Sequence, residues 1–129
     1  MAFDFPDQFR FADSHEYVRP EAEFVRVGLS AYAVDQLGDI VFVDLPDVGS
    51  ELSRGNSFGT VESVKAVEEM YAPITGEVLQ RNEAVLANPE ELQNAPHGEG
   101  WLLVIRPSVP PQIDELMDSG TYTAKVAAA

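Results

Sequence analysis

The sequence predicts a mainly β protein, a sandwich or barrel of short strands with a few short helices, one of them C-terminal. Short runs rich in β-branched and aromatic residues recur between about residues 9 and 106, bounded by glycine, proline, aspartate or asparagine. Several of these runs alternate apolar and polar residues, as a half-buried sheet requires. Their even spacing favours a sandwich or barrel. At 129 residues the chain can bury a real core, and neither composition nor spacing divides it. One domain covering residues 1–129 is expected, with N-terminal strands and a C-terminal helical extension.

In chain order, strands are expected near Arg10–Phe11, Tyr17–Arg19 and Phe24–Leu29. A turn of helix follows at Tyr32–Leu37, ended by Gly38. Strands resume at Asp39–Leu45, Phe58–Val64, Ala66–Tyr71 and Gly76–Arg81. Before the last of these, Pro73 restricts the backbone and Gly76 permits the turn. A short helix is expected after Pro89 and a strand at Trp101–Arg106. Gly98-Glu99-Gly100 is a fragment of a phosphate loop but precedes a strand, so it reads as a turn, with Trp101 in the core. The C-terminal helix is expected around Gln112–Asp118, ended near Gly120 and entered through Pro110 and Pro111, since a first helical turn tolerates proline.

A weak internal repeat supports a two-halved sandwich. Gly38-Asp39-Ile40-Val41 recurs as Gly76-Glu77-Val78-Leu79, and Gly59-Thr60-Val61 has a loose counterpart in Gly100-Trp101-Leu102. Two similar halves packed face to face would bury both apolar strand faces.

A formal net charge of -14 argues against nucleic acid, whose phosphates would be repelled, and against anionic membranes. The charge either steers partners with basic patches or simply maintains solubility. Cysteine is absent, which removes disulfides, thiolate nucleophiles and cysteine metal sites and fits a reducing compartment. The segment Met1 to Asp7 lacks the basic start and apolar stretch of a secretory signal and the arginine-rich character of an import leader. A cytoplasmic protein is expected, or an organellar one if a leader has been removed.

Lys65 stands out because it is one of only two lysines and lies between two strand-like apolar runs. Lysine can be acylated where arginine cannot, so an amine displayed on a rigid hairpin suits the attachment of a swinging cofactor. The plain alternative is a surface lysine paired with Glu68 or Glu69, an arrangement worth roughly 0–1 kcal/mol. His15 and His97 are too few for a histidine-rich metal site, and no serine carries a recognisable nucleophile motif. No metal and no catalytic residue are expected.

The stretch Leu37 to Pro46, Val61 to Ala66 reading VESVKA, Pro73 to Val78 reading PITGEV, and Gly98-Glu99-Gly100-Trp101 together resemble the glycine cleavage H-protein family. The similarity runs from Ser14-His15-Glu16 to the C-terminal helix, in matching order and spacing. The resemblance implies a lipoyl/biotinyl-carrier-like fold, a barrel-sandwich hybrid, with lipoic acid joined to Lys65 as lipoyllysine. It implies a non-catalytic carrier that takes the aminomethyl group of glycine from glycine decarboxylase to aminomethyltransferase and is reoxidised by dihydrolipoamide dehydrogenase. Lipoate-attaching enzymes would be further partners, and transient docking with several proteins favours a monomer. It also implies a cleft that receives the loaded arm, with Ser14, Glu16 and Glu69 near it, where carboxylates would suit an ammonium. Tyr17, Gln36, Glu69 and His97 depart from the family's usual residues, and these departures bear on the cleft and docking surface.

Two rival carriers and a rival class remain. A lipoyl module of a 2-oxo acid dehydrogenase would place aspartate before the lysine, and a biotin carrier would flank it with methionine, whereas Val64 and Ala66 stand here. A non-carrier binding protein would leave Lys65 unmodified, and a lipoyl donor would pass its group to other enzymes.

Overall fold

Alternation of buried and exposed residues carries the chain into two antiparallel sheets. The computed structural model describes residues 3–129. In order, the elements are β1 (Arg10–Phe11), β2 (Glu16–Glu21), β3 (Phe24–Leu29), α1 (Ala31–Leu37), β4 (Ile40–Asp44), β5 (Glu51–Leu52), β6 (Ser57–Ser63) and β7 (Val67–Tyr71). They continue with β8 (Gly76–Arg81), α2 (Glu83–Ala87), α3 (Glu90–Asn94), β9 (Leu103–Pro107), α4 (Pro111–Asp114), β10 (Met117–Asp118) and α5 (Ser119–Ala127). The larger sheet has the order β10-β1-β2-β3-β9-β8-β5, and the smaller is β4-β6-β7. Inward side chains of both, such as Val27, Val78 and Ile105 from one and Val43, Val61 and Met70 from the other, share a single aliphatic core. This is the mainly β sandwich with short helices that the strand pattern predicts.

The internal repeat corresponds to structure. Its two copies lead into β4 and β8, which pair antiparallel with β6 in the small sheet and with β9 in the large one. Both pairs slip register at the equivalent place, past Val41 between Ile40 and Phe42 and past Leu79 between Val78 and Gln80. An extra residue at a bulge bends its strand and increases twist, so the two halves share a bend as well as a sequence.

A second core lies at the chain ends. Phe5, Phe9, Phe11, Tyr17 and Tyr122 are buried together, and the Phe11 and Tyr122 rings stack with centroids 4.2 Å apart. Tyr17 reaches across the sheet only because its partner in β3 is Gly28, where a Cβ would come within 2.6 Å of the tyrosine hydroxyl. That hydroxyl then donates to the Pro96 carbonyl at 2.7 Å.

The C-terminal expectation requires correction. Gln112 to Asp118 is not one helix: α4 ends at Asp114, and Met117–Asp118 pairs with β1 as an edge strand. The true C-terminal helix is α5, because the Asp118 carboxylate accepts from the Thr121 amide at 2.7 Å and so starts a helix. Gly120 lies in its first turn and ends nothing. Trp101 is also misplaced by the sequence reading. It is half-buried at the surface, with the Arg26 guanidinium 4.6 Å above its ring, an arrangement that keeps the cation in water while covering the indole.

Candidate functional site

The β6–β7 connection is a short turn, Val64-Lys65-Ala66, braced by one side chain. The buried Ser63 hydroxyl accepts from the amides of Lys65 at 3.3 Å and Ala66 at 3.1 Å, while the Ser63 amide donates to the Ala66 carbonyl at 2.8 Å. A serine satisfying the amides two and three residues on is a local alternative to strand pairing, and it sets the turn. On the other side the Val64 amide donates to the Asp39 carbonyl at 3.0 Å. The helix α1 stops beside it at Gly38, whose φ of 80° glycine adopts without strain.

Lys65 is exposed, and among the described residues no carboxylate pairs with it. The pairing with Glu68 or Glu69 that would make it ordinary surface decoration is not formed. The other lysine, Lys125, lies in the last turn of α5, 3.7 Å from Asp13. Only Lys65 combines a braced turn with an uncommitted amine.

Beside the turn opens a cleft of about 330 Å³. One wall is α1, with Tyr32, Ala33, Gln36 and Leu37; another is the end of the β1–β2 connection, with Ser14 and His15, and the first residue of β2, Glu16; the hairpin supplies Val61, Lys65, Ala66, Glu68, Glu69 and Met70. Lys65 and the three residues expected near the cleft, Ser14, Glu16 and Glu69, therefore line one space. The hydrocarbon of Leu37, Val61 and Met70 suits an apolar arm, and the carboxylates suit a cation at its end.

Glu16 is the most constrained of these groups, only 1 % exposed. The Tyr71 amide of β7 donates to it at 2.9 Å and the Ser14 hydroxyl donates to its other oxygen. Burial pushes its carboxyl above the ordinary value, and the hydrogen bonds from Ser14 and Tyr71 oppose that shift. Because Tyr71 belongs to the small sheet and Glu16 to the large one, this carboxylate also ties the sheets together at the cleft.

The sequence reading missed the groups that hold the wall. Tyr122 of α5 shares its hydroxyl between His15 Nδ1 and Ser30 Oγ, each at 2.7 Å. Ser30 in turn caps α1 by accepting from the Ala33 amide at 3.2 Å. Burial raises Tyr122 to about 12, so its proton stays available for this network at neutral pH. His15, held at φ 79°, is lowered first by burial and then by the charge of Lys125, with Asp13 opposing. For Ser63 a signal existed, a serine two residues before a turn residue; for Tyr122 none did, since its partners lie 107 and 92 residues away.

The four departures divide into two pairs. Gln36 and Glu69 line the cleft, whereas Tyr17 and His97 meet in the aromatic core, edge to face with centroids 5.5 Å apart. His97 Nε2 also accepts from the Ala31 amide at 3.0 Å, so a loop residue supports the start of α1. Among the described residues no group of three His, Asp or Glu side chains could hold a metal ion, and no helix is long and apolar enough to cross a membrane.

Comparison with known proteins shows the family. Residues 9–129 match the family described as Glycine cleavage H-protein. The chain is 88 % identical over 129 residues to the glycine cleavage system H protein of Synechococcus sp. strain CC9311, covering 100 % of both chains. It is 66 % identical over 128 residues to that of Prochlorococcus marinus strain NATL2A, covering 99 % of this chain and 100 % of the relative. Among solved structures, a glycine cleavage system H protein from Mycobacterium marinum superimposes with a TM-score of 0.88 at 34 % identity, covering 95 % of this chain and 99 % of that one.

Proposed function

The chain belongs to the glycine cleavage H-protein family, and from that premise we propose that Lys65 is the residue bearing its lipoyl group. The family carries lipoyllysine, and the protein is the non-catalytic lipoyl carrier of the glycine cleavage system. One observation supports Lys65 above all: its amine has no carboxylate partner among the described residues, stands on a turn braced by Ser63 and borders the cleft that Glu16 and Glu69 line.

When bound, the dithiolane supplies the redox sulfur that a cysteine-free chain lacks. The residues of the chain do the rest. Ser63 holds the turn so that the amide leaves from a fixed point. Leu37, Val61 and Met70 offer the arm an apolar bed that excludes water. Glu16, Glu69 and Ser14 offer acceptors to an amine at its end, and a cation arriving there favours the ionised form of Glu16.

In this reading residues 1–129 act as one monomeric carrier domain in the cytoplasm. The protein takes the aminomethyl group of glycine from glycine decarboxylase to aminomethyltransferase, and dihydrolipoamide dehydrogenase reoxidises it. Lipoate-attaching enzymes load it, and neither nucleic acid nor membrane takes part. A covalent tether replaces separate free encounters with local searches and raises the effective concentration of the cargo at each partner.

Intact mass with peptide mapping of protein from its native source tests the assignment. One lipoyl amide on Lys65 is expected, and Lys65→Arg should keep the fold and its charge while abolishing glycine-dependent turnover. A lipoyl group on Lys125, or full turnover by the arginine variant, would overturn it.

A further inference from the structure

The small sheet buries one face and leaves an apolar strip on the other. Val43, Val61 and Met70 turn into the core, whereas the register sets Phe42, Glu62 and Val67 side by side on the outer face. Phe42 is 54 % exposed, Val67 64 % and Val64, in the turn itself, 69 %. None of these side chains contributes to either core. They are concentrated at the end of the sheet that carries Lys65, with Glu62 just before the turn and Val67 just after it.

Carboxylates border the strip. Glu62 stands between Phe42 and Val67, and the next outer row sets Asp44 beside Thr60. Acylation of Lys65 would remove the one cation of the hairpin and take the formal charge of the chain from -14 to -15, one unit lower.

We propose that Phe42, Val64 and Val67 form the docking surface for the enzyme that acylates Lys65, and that this enzyme presents an apolar centre edged with basic side chains. The inference rests on Lys65 being the attachment residue. What selects this partner is reach. To make the amide, the enzyme must bring Nζ itself to the acyl carbon, so its surface closes over the residues flanking Lys65. Enzymes that act on the sulfur end of the finished arm work many bonds away and need not cover the turn. In the transfer, deprotonated Nζ attacks the carbonyl carbon of an activated lipoyl donor, a mixed phosphate anhydride or thioester. The N–C bond forms, the leaving group departs with the bonding pair, and the nitrogen releases its extra proton to solvent. Exposed apolar side chains beside the reacting atom, ringed by charge of one sign, supply the apolar centre and the complementary rim of such an interface.

The test compares the unmodified protein with a Phe42→Ser/Val67→Ser variant, each loaded by a purified lipoate ligase with lipoate and ATP and followed by intact mass. Loading of the variant should fall in kcat/KM by about tenfold, chiefly through KM, with an unchanged melting temperature. Val109→Ser, an exposed apolar residue outside this sheet, should load like the parent. Driven to completion with excess ligase and its dithiolane then reduced chemically to the dithiol, the double variant should be reoxidised by dihydrolipoamide dehydrogenase with NAD as acceptor at the parent rate. Loading at the parent rate, or an equal loss in loading and reoxidation, would overturn the docking surface. Parent protein that gains no lipoyl group on Lys65 would instead overturn the attachment reading beneath it.

Discussion

Between the sheets the core is aliphatic, built from residues such as Val18, Val27, Val61, Val78 and Ile105, whereas at the chain ends it is aromatic, built from Phe5, Phe9, Phe11, Tyr17 and Tyr122. The first group has no polar atoms, so burial constrains its volume and little else. The second carries hydroxyls, and the imidazoles of His15 and His97 pack against it; once covered, these groups must find partners. Tyr17 donates to the Pro96 carbonyl, whereas the partners of Tyr122 and His97 belong to the elements that form the cleft wall: Ser30 at the start of α1, His15 in the β1–β2 connection and the Ala31 amide. The sandwich therefore supplies stability and the hairpin, while the terminal elements set the wall that faces Lys65.

Removing volume from the first core should have the larger effect on stability. Ile105 is fully buried and pairs across to Val25 and Val78 in the neighbouring strands. Ile105→Ala should cost about 2–5 kcal/mol in urea unfolding, by lost transfer energy plus the cavity left behind. Hydrogen exchange in α1 should rise only as far as the lower global stability requires. A selective opening of α1 in this variant would erase the distinction between the cores.

Tyr122→Phe makes the opposite cut, keeping the ring that stacks on Phe11 and deleting the hydroxyl shared by His15 and Ser30. Its cost should be smaller, about 1–3 kcal/mol, because it leaves buried polar groups without a partner and creates no large cavity. Its signature should be local: faster amide exchange at Ala33, which Ser30 caps, with β8 and β9 following only the change in global stability. Exchange that rises uniformly would make Tyr122 a packing residue alone.

The same contrast explains what could be read from the sequence. Strands at Arg10–Phe11, Phe24–Leu29 and Gly76–Arg81 have the predicted bounds, because alternation and turn residues are local signals. β5 and β10 are two residues long and exist only through their pairing with β8 and β1, so no local pattern announces them. The C-terminal helix is misplaced by local signals because Gly120 reads as a stop, although the capping Asp118 begins a helix there. The hairpin lysine was visible in composition and spacing, but Ser14, Glu16 and Glu69 came from family resemblance. No pattern in the chain announces that Glu16 is buried, since carboxylates are ordinarily exposed.

The smallest expected effect concerns pH and the link from the aromatic core to α1. His97 accepts from the Ala31 amide through Nε2 and so must be neutral to hold the helix start. Burial lowers its pKa from the ordinary 6.5, and Asp4 opposes this through its charge and its backbone. Below about 6.5 the unfolded chain takes up a proton that the folded chain resists, so stability falls with pH. The fall ends at the depressed folded value, beneath which both states are protonated. His15 acts in the same direction, while Glu16, whose carboxyl is raised by burial, acts in the other: the cost of its buried charge is complete above its folded value and is relieved as pH falls toward 4.5. A difference measurement separates them. His97→Gln retains an acceptor for the Ala31 amide but cannot titrate, so urea midpoints should change little at alkaline pH and decline less steeply than those of the parent below about 6.5. Parallel curves for the two proteins would mean that the charge on this imidazole does not govern how the loop holds α1.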